Sequence, residues 1–286
     1  MRVRMLFTAA LPLAALAVTA VGAAAQDNGQ QSSSADWVAR CQRGDSGWGN
    51  NRGSVHCEVR EARLAATGGT ISVDARENGG VSVRGWDRNE VLVQERIQTR
   101  GTSDADARAI AQQIRVETGG SRVHATGPRT DRNRQWSVSY EVFVPRRSNL
   151  ALVTTNGPIA LRDVSGDVRM DATNGPMTVS GVSGNVRGRT TNGPLRVELS
   201  GARWSGSGLD LETTNGPVTL SMPPRFAAHL EAGTTNGPMR VDFSVTVQGR
   251  INSRISSDIN GGGPTIRVVT TNGPVSIRTA GAAGTM

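Results

Sequence analysis

The tetrapeptide Thr-Asn-Gly-Pro occurs six times in this chain, beginning at Thr155, Thr173, Thr191, Thr214, Thr235 and Thr271. Its asparagines, at 156, 174, 192, 215, 236 and 272, lie 18, 18, 23, 21 and 36 residues apart, so the basic period is 18 and the last interval equals two periods. A fixed period of this size denotes stacked supersecondary units. A strand-helix-strand unit is excluded, because it needs roughly 30 residues or more.

Within a period the residues are β-branched and alternate, with a turn signal about every nine residues. Ile159 and Leu161 follow the first Asn-Gly-Pro; Ser165-Gly166-Asp167 then turns the chain into Val168, Met170 and Ala172. The next coil repeats this with Met177 and Val179, Ser183-Gly184-Asn185, then Val186, Gly188 and Thr190. Each coil is read as two short strands. Asn-Gly also signals two-residue antiparallel hairpins, and that alternative stays open. Parallel coils are preferred because identical turns recur at one interval while the other end of the strand pair uses Ser-Gly-Asp. The fold class is therefore all-β, a parallel β-solenoid of about 18-residue coils.

The corner has a physical rationale. Glycine supplies backbone angles closed to other residues, asparagine tolerates the left-handed region, and proline lacks an N–H and so belongs at a corner or a strand's first residue. Stacking is expected to align Asn156-Gly157, Asn174-Gly175, Asn192-Gly193, Asn215-Gly216, Asn236-Gly237 and Asn272-Gly273 into a corner ladder. Strand parity points Thr154, Ala172, Thr190, Thr213, Thr234 and Thr270 inward. It points Thr155, Thr173, Thr191, Thr214, Thr235 and Thr271 outward as one file, a possible binding array for ice or a repetitive glycan. The alternative is that each outward hydroxyl bonds its own turn and that threonine simply favours strands.

Upstream, Ile71 and Val73, Asn78-Gly79-Gly80, Val81 and Val83 give a degenerate copy of the unit. Residues 103–114, with Asp104 and Asp106 early and an apolar face at Ala107, Ile110 and Ala111, predict one short inserted helix. Irregular spacing marks insertions at 201–208, 222–228 and 244–262, read as surface slack or as functional loops.

Residues 1–25 carry Arg2 and Arg4, an apolar run from Met5 to Val21, and Ala23-Ala24-Ala25, the pattern of a secretory signal. No other stretch has the ~20 apolar residues a membrane helix requires, so no transmembrane segment is expected after cleavage. Residues 26–54 read as a flexible lead-in, 55–280 as the β-solenoid domain and 281–286 as a disordered tail. Cys41 and Cys57 are the only cysteines; export makes a disulfide between them the natural reading, worth about 3 kcal/mol on the chain-entropy model. A metal site using His56 is the rival, short of a zinc ligand set.

At this point the chain resembles the candidate-adhesin family of bacterial β-strand-repeat proteins, a domain of unknown function. The matching residues are Asn156-Gly157 through Asn272-Gly273, Gly166-Asp167, Gly184-Asn185, Val83-Arg84-Gly85-Trp86-Asp87 and Tyr140-Glu141-Val142-Phe143-Val144-Pro145, over roughly residues 55–280. Proline after each Asn-Gly departs from the family pattern, and Gly-Asp is intact only at Asp167. The resemblance implies a solenoid and an adhesin-like role.

The chemistry of the remaining residues points away from catalysis. His56, His124 and His229 are scattered without metal-ligand spacing, and there is no Gly-x-Ser-x-Gly elbow. No catalytic residue, metal or cofactor is expected. The alternative is a carbohydrate-active enzyme, a polysaccharide lyase or hydrolase on a parallel β-helix, using acids among Asp163, Asp167, Asp171, Asp210 and Glu212; Arg162, Arg169, Arg187 and Arg189 share their outward rows. All 32 basic residues are arginines against 24 acids, giving a net charge of +8. Export and the alternation of arginines with acids argue against nucleic acid. The sequence therefore reads as a non-catalytic exported scaffold, adhesin-like, that binds a glycan, envelope polymer or protein from a periplasmic, surface or secreted location.

Overall fold

The computed structural model describes residues 28–44, 53–242 and 253–280. The signal segment, the tail at 281–286 and residues 244–252 of the last insertion lie outside the described residues.

Two ten-stranded sheets face each other. Every coil gives a long strand that ends in the corner asparagine, then a short strand that begins after the proline. Ser165–Asn174 pairs in parallel with Asn149–Asn156 on one side and Ser183–Asn192 on the other, with Asn174 level with Asn156 and Asn192. Met177–Ser180 pairs in parallel with Ile159–Arg162 and Leu195–Glu198 in the opposite sheet. Alternation turns one set of residues from each sheet inward. Leu152, Met170, Val186 and Leu211 from the long strands, with Ile159, Leu161, Val179 and Val197 from the short ones, are fully or almost fully buried in one continuous apolar core. Burying a side chain of this kind contributes about 1.5–3 kcal/mol, and stacking supplies the burial that one coil lacks alone.

The parallel pattern stops at both ends, which corrects the expectation of a purely parallel array. Ser54–Ala65 pairs antiparallel with Glu90–Gly101, which pairs antiparallel with Gln135–Pro145. These strands have 12, 12 and 11 residues. So long an uninterrupted strand leaves no room for a corner within an 18-residue coil, and the chain reverses instead. Arg115–Glu117 with Arg122–Thr126, and Ala228–Asn236 with Arg254–Ile259, are also antiparallel.

The stacking order also departs from chain order. The coil containing Asn272 lies between those containing Asn215 and Asn236, because Thr265–Asn272 pairs with both Gly208–Asn215 and Ala228–Asn236. The 36-residue interval is therefore an excursion through Arg254–Ile259 and not two stacked coils.

Among the described residues two helices are present, where one was expected. α1 (Asn28–Gln42) occupies the segment read as a flexible lead-in. α2 (Asp104–Gln113) is the inserted helix. Ser103 caps its N-terminus by accepting the Asp106 N–H, and Ala107, Ile110 and Ala111 are buried. The Arg60 guanidinium donates to the carbonyls of Ala111 and Ile114 at its other end, where a cation complements the helix dipole.

The first two insertions are pinned rather than slack. Trp204 is buried, its indole N–H donating to the Gly184 carbonyl at 2.9 Å. Phe226 is buried in the core, and Arg203 bridges to Ala227, clasping the two insertions together.

Candidate functional site

The corner brings its residues together by a chain of side-chain amides. Asn174 Nδ2 donates to Asn156 Oδ1, Asn192 to Asn174, Asn215 to Asn192, Asn272 to Asn215 and Asn236 to Asn272, each at 2.8 Å. Asn156 continues the chain to Asn78 at 3.3 Å, so the degenerate upstream corner joins it. All six repeat asparagines are exposed.

Glycine is required here for a different reason from backbone angles. Of the six corner glycines only Gly273 has a positive φ, +153°. What excludes a side chain is the stacking itself: a Cβ on Gly157, Gly175, Gly193, Gly216, Gly237 or Gly273 would sit less than 3 Å from the glycine carbonyl of the adjacent coil.

Proline and the inward threonine form a compensating pair. At each corner the parallel ladder runs from the glycine N–H to the neighbouring asparagine carbonyl, as from Gly193 to Asn215 at 2.9 Å. The return bond to the Gly193 carbonyl would come from the N–H of residue 217, but that residue is proline. Thr213 Oγ1 donates instead, at 2.9 Å. Thr190 serves Gly175, Thr270 serves Gly216 and Thr154 serves Gly79 in the same way. Ala172 has no hydroxyl to give, and Thr234 Oγ1 is buried without a partner.

The outward threonines differ sharply. Thr155, Thr173, Thr191 and Thr235 are exposed, Thr214 and Thr271 half-buried. Among the described residues no hydrogen bond ties any of these six hydroxyls to a protein group, so none of them bonds its own turn; the strand preference of threonine still accounts for the residue type.

Beside this file, on the outer face of the same sheet, lies a depression of about 550 Å³ whose lining includes Arg169, Asp171, Arg187, Arg189, Asp210, Glu212 and Arg267. It adjoins a second of about 400 Å³ that reaches Thr235 and Thr271, with Glu212 and Arg267 common to both. Arg169 bonds Asp171 at 2.8 Å; Arg267 bonds Asp210 at 2.6 Å and meets Glu212 at 3.5 Å. Partial burial works against the Arg267 charge, but hydrogen bonding and Coulomb attraction from Asp210 and Glu212 prevail and hold its pKa above the ordinary value.

Three of the five acids weighed for catalysis are thus engaged with arginines. Asp163 lies instead at the opposite corner, in a left-handed turn with φ +57°. Asp167 accompanies Asp171 on the long strand, its backbone N–H bonded to Asn149 Oδ1.

Cys41 and Cys57 form a disulfide that ties α1 to the first strand. With both sulfurs spent, the metal reading at His56 falls; the His56 ring contacts Glu58 at 3.0 Å.

One cluster escaped sequence reasoning. His229 Nδ1 meets Asp258 Oδ1 at 2.7 Å, while Nε2 lies 3.4 Å from Ser256 Oγ and 3.6 Å from Glu231 Oε1. The antiparallel partnership of Arg254–Ile259 creates it, and nothing in the repeat predicts that strand. Glu231 competes with Ser256 for the same ring nitrogen, and the Asp258 carboxylate is 68% exposed, so water screens the charge that would orient a catalytic imidazole.

Among the described residues no helix is long and apolar enough to cross a membrane. Among curated proteins none matches the sequence. Several solved structures are similar. A candidate cell adhesion protein from Clostridium sporogenes is 10% identical with a TM-score of 0.44, over 78% of this chain and 99% of that one. A candidate adhesin from Bacteroides fragilis is 11% identical with a TM-score of 0.31, over 78% and 96%. A candidate lipid-binding protein from Parabacteroides distasonis is 8% identical with a TM-score of 0.28, over 78% and 96%. The family model described as Toastrack DUF4097 matches residues 58–278, from the first strand to the end of the last short strand. The chain, with its two facing sheets and stacked Asn-Gly corners, belongs to the Toastrack DUF4097 family.

Proposed function

We propose that the protein is an exported, non-catalytic, adhesin-like scaffold of the cell envelope or surface. Its long-strand face binds a glycan, envelope polymer or protein partner with a repeating structure. The observation that carries this reading is the outward threonine file: six hydroxyls in register, one per coil, none of them hydrogen-bonded to a protein group among the described residues. Each coil offers the same small contact at a rung spacing of about 4.8 Å. A repetitive partner then gains affinity by multivalency rather than from one deep pocket. The signal-like residues 1–25 and the Cys41–Cys57 disulfide support export to an oxidising compartment.

The test is to remove hydroxyls one coil at a time, as Thr173→Ala, then with Thr191→Ala, then with Thr235→Ala, and to measure binding to purified cell-wall polysaccharide. Thr178→Ala and Thr219→Ala, on the short-strand sheet, serve as controls. The reading requires a stepwise loss with each outward change and none with the controls. Equal behaviour of the two sets would overturn it.

A further inference from the structure

The middle coil of the long-strand face differs from its neighbours in charge. Its outward row is Asn185, Arg187, Arg189 and Thr191, with no acid, whereas the coils on either side carry Asp167 and Asp171, or Asp210 and Glu212. In the strand register Arg187 stands level with Arg169 and Asp210, and Arg189 with Asp171 and Glu212. Those three carboxylates turn elsewhere, Asp171 to Arg169 and the other two to Arg267. Arg187 and Arg189 are exposed on the wall of the 550 Å³ depression, and among the described residues no carboxylate reaches either of them within ion-pair distance.

Resting on the reading of this face as a polymer-binding surface, we propose that the depression is a subsite for an acidic polysaccharide. Arg187 and Arg189 bind carboxylate groups of the sugar chain, and Asp171, Asp210 and Glu212 accept its hydroxyls. Two residues apart on one strand face, the guanidiniums are anchored about 7 Å from each other and present planar, bidentate donors suited to carboxylate.

The mixture of charges selects the ligand class. The depression holds four arginines and three carboxylates. A polyphosphate, sulfate-dense chain or lipid headgroup layer brings many anions and few hydroxyls, and three carboxylates would repel it. A uronate chain brings both an anion for each free arginine and hydroxyl donors for the acids. The depression is also open and continuous with its neighbour along the stacking direction, which suits a chain passing through rather than a free monosaccharide.

The experiment measures binding of the intact protein to polygalacturonate, to the same polymer fully methyl-esterified, and to polyphosphate. It compares wild type with Arg187→Gln, Arg189→Gln and Arg196→Gln. Arg196 is exposed on the opposite sheet and makes the last variant a control for net charge; thermal melts establish that each variant is folded. Loss of a charge-assisted hydrogen bond predicts a drop of about tenfold or more for Arg187→Gln and for Arg189→Gln, a similar drop on esterification, and a change within about twofold for Arg196→Gln. An equal loss in Arg196→Gln would reduce the effect to overall charge and overturn the subsite. So would undiminished binding of the ester, tighter binding of polyphosphate, or no binding of polygalacturonate. Stepwise loss of wall-polysaccharide binding in the threonine variants, with polygalacturonate unbound, would retain the scaffold reading and remove this inference alone.

Discussion

Replacing Thr213 by valine tests whether the inward threonines exist to repair the ladder that proline breaks. The side chain is fully buried, and valine keeps its shape. Removing a hydroxyl from such a site ordinarily favours folding, because apolar burial rises and valine suits strands. The structure predicts the opposite sign. The Gly193 carbonyl loses its 2.9 Å donor, and Pro217 has no N–H to replace it. An unsatisfied buried carbonyl costs about 1–3 kcal/mol. Taking about 2 kcal/mol, the melting temperature of a domain this size falls by roughly 4–8 °C. The decisive arm is a double-mutant cycle with Pro217→Ala, which restores a backbone N–H aimed at the same carbonyl. In that background Thr213→Val should cost little. Differential scanning calorimetry of the four proteins supplies the numbers. Stabilisation by Thr213→Val, or an equal cost in both backgrounds, would refute the reasoning. The converse change, Ala172→Thr, adds the missing donor opposite Gly157 and should raise the melting temperature.

Gly193→Ala forces a Cβ against the Gly175 carbonyl; separating two coils should cost about 3 kcal/mol or more, read as a large fall in denaturant midpoint, and a near-neutral result would remove close stacking as the reason for glycine. Burial raises the pKa of Glu95, with Arg60 opposing. The folded state therefore holds the Glu95 proton more tightly than the unfolded chain, and this group's contribution to stability is lost as pH rises from about 4.3 upward. Glu95→Gln should be more stable than wild type at pH 7 and no different near pH 3; a loss at pH 7 would contradict the sign. Ser256 should resist a fluorophosphonate probe, as the competition of Glu231 for His229 implies, and stoichiometric labelling abolished by His229→Ala would establish a hydrolase in place of a scaffold.

What the sequence disclosed follows from where its information is local. The Thr-Asn-Gly-Pro corners located the coil boundaries, and residues 103–114 announced α2 through Ser103, the early acids and the apolar face. Partnership is not local, and there the reading fell short. Identical corners at 215, 236 and 272 carry no mark of stacking order, so the interposed coil was invisible. The long strands at 54–65, 90–101 and 135–145 carry no Thr-Asn-Gly-Pro corner, and nothing within them marks the direction of their partners. The role of glycine was misassigned because close approach between coils is a property of the stack. The compensation between Thr213 and Pro217 lies across two coils, and strand parity gives only the inward direction of Thr213. His229, Ser256, Asp258 and Glu231 meet across an antiparallel pair that no repeat foretells.

The most direct test of a face that binds a repeating partner is isothermal titration with galacturonate oligomers of increasing length. Six coils place the ends of the outward threonine file roughly 24 Å apart. The account predicts affinity that climbs with each added sugar until the oligomer spans that distance and then levels off, with the climb flattened in the protein lacking the hydroxyls of Thr173, Thr191 and Thr235. Affinity already at its maximum for the dimer, or a length dependence unchanged by those substitutions, would contradict it.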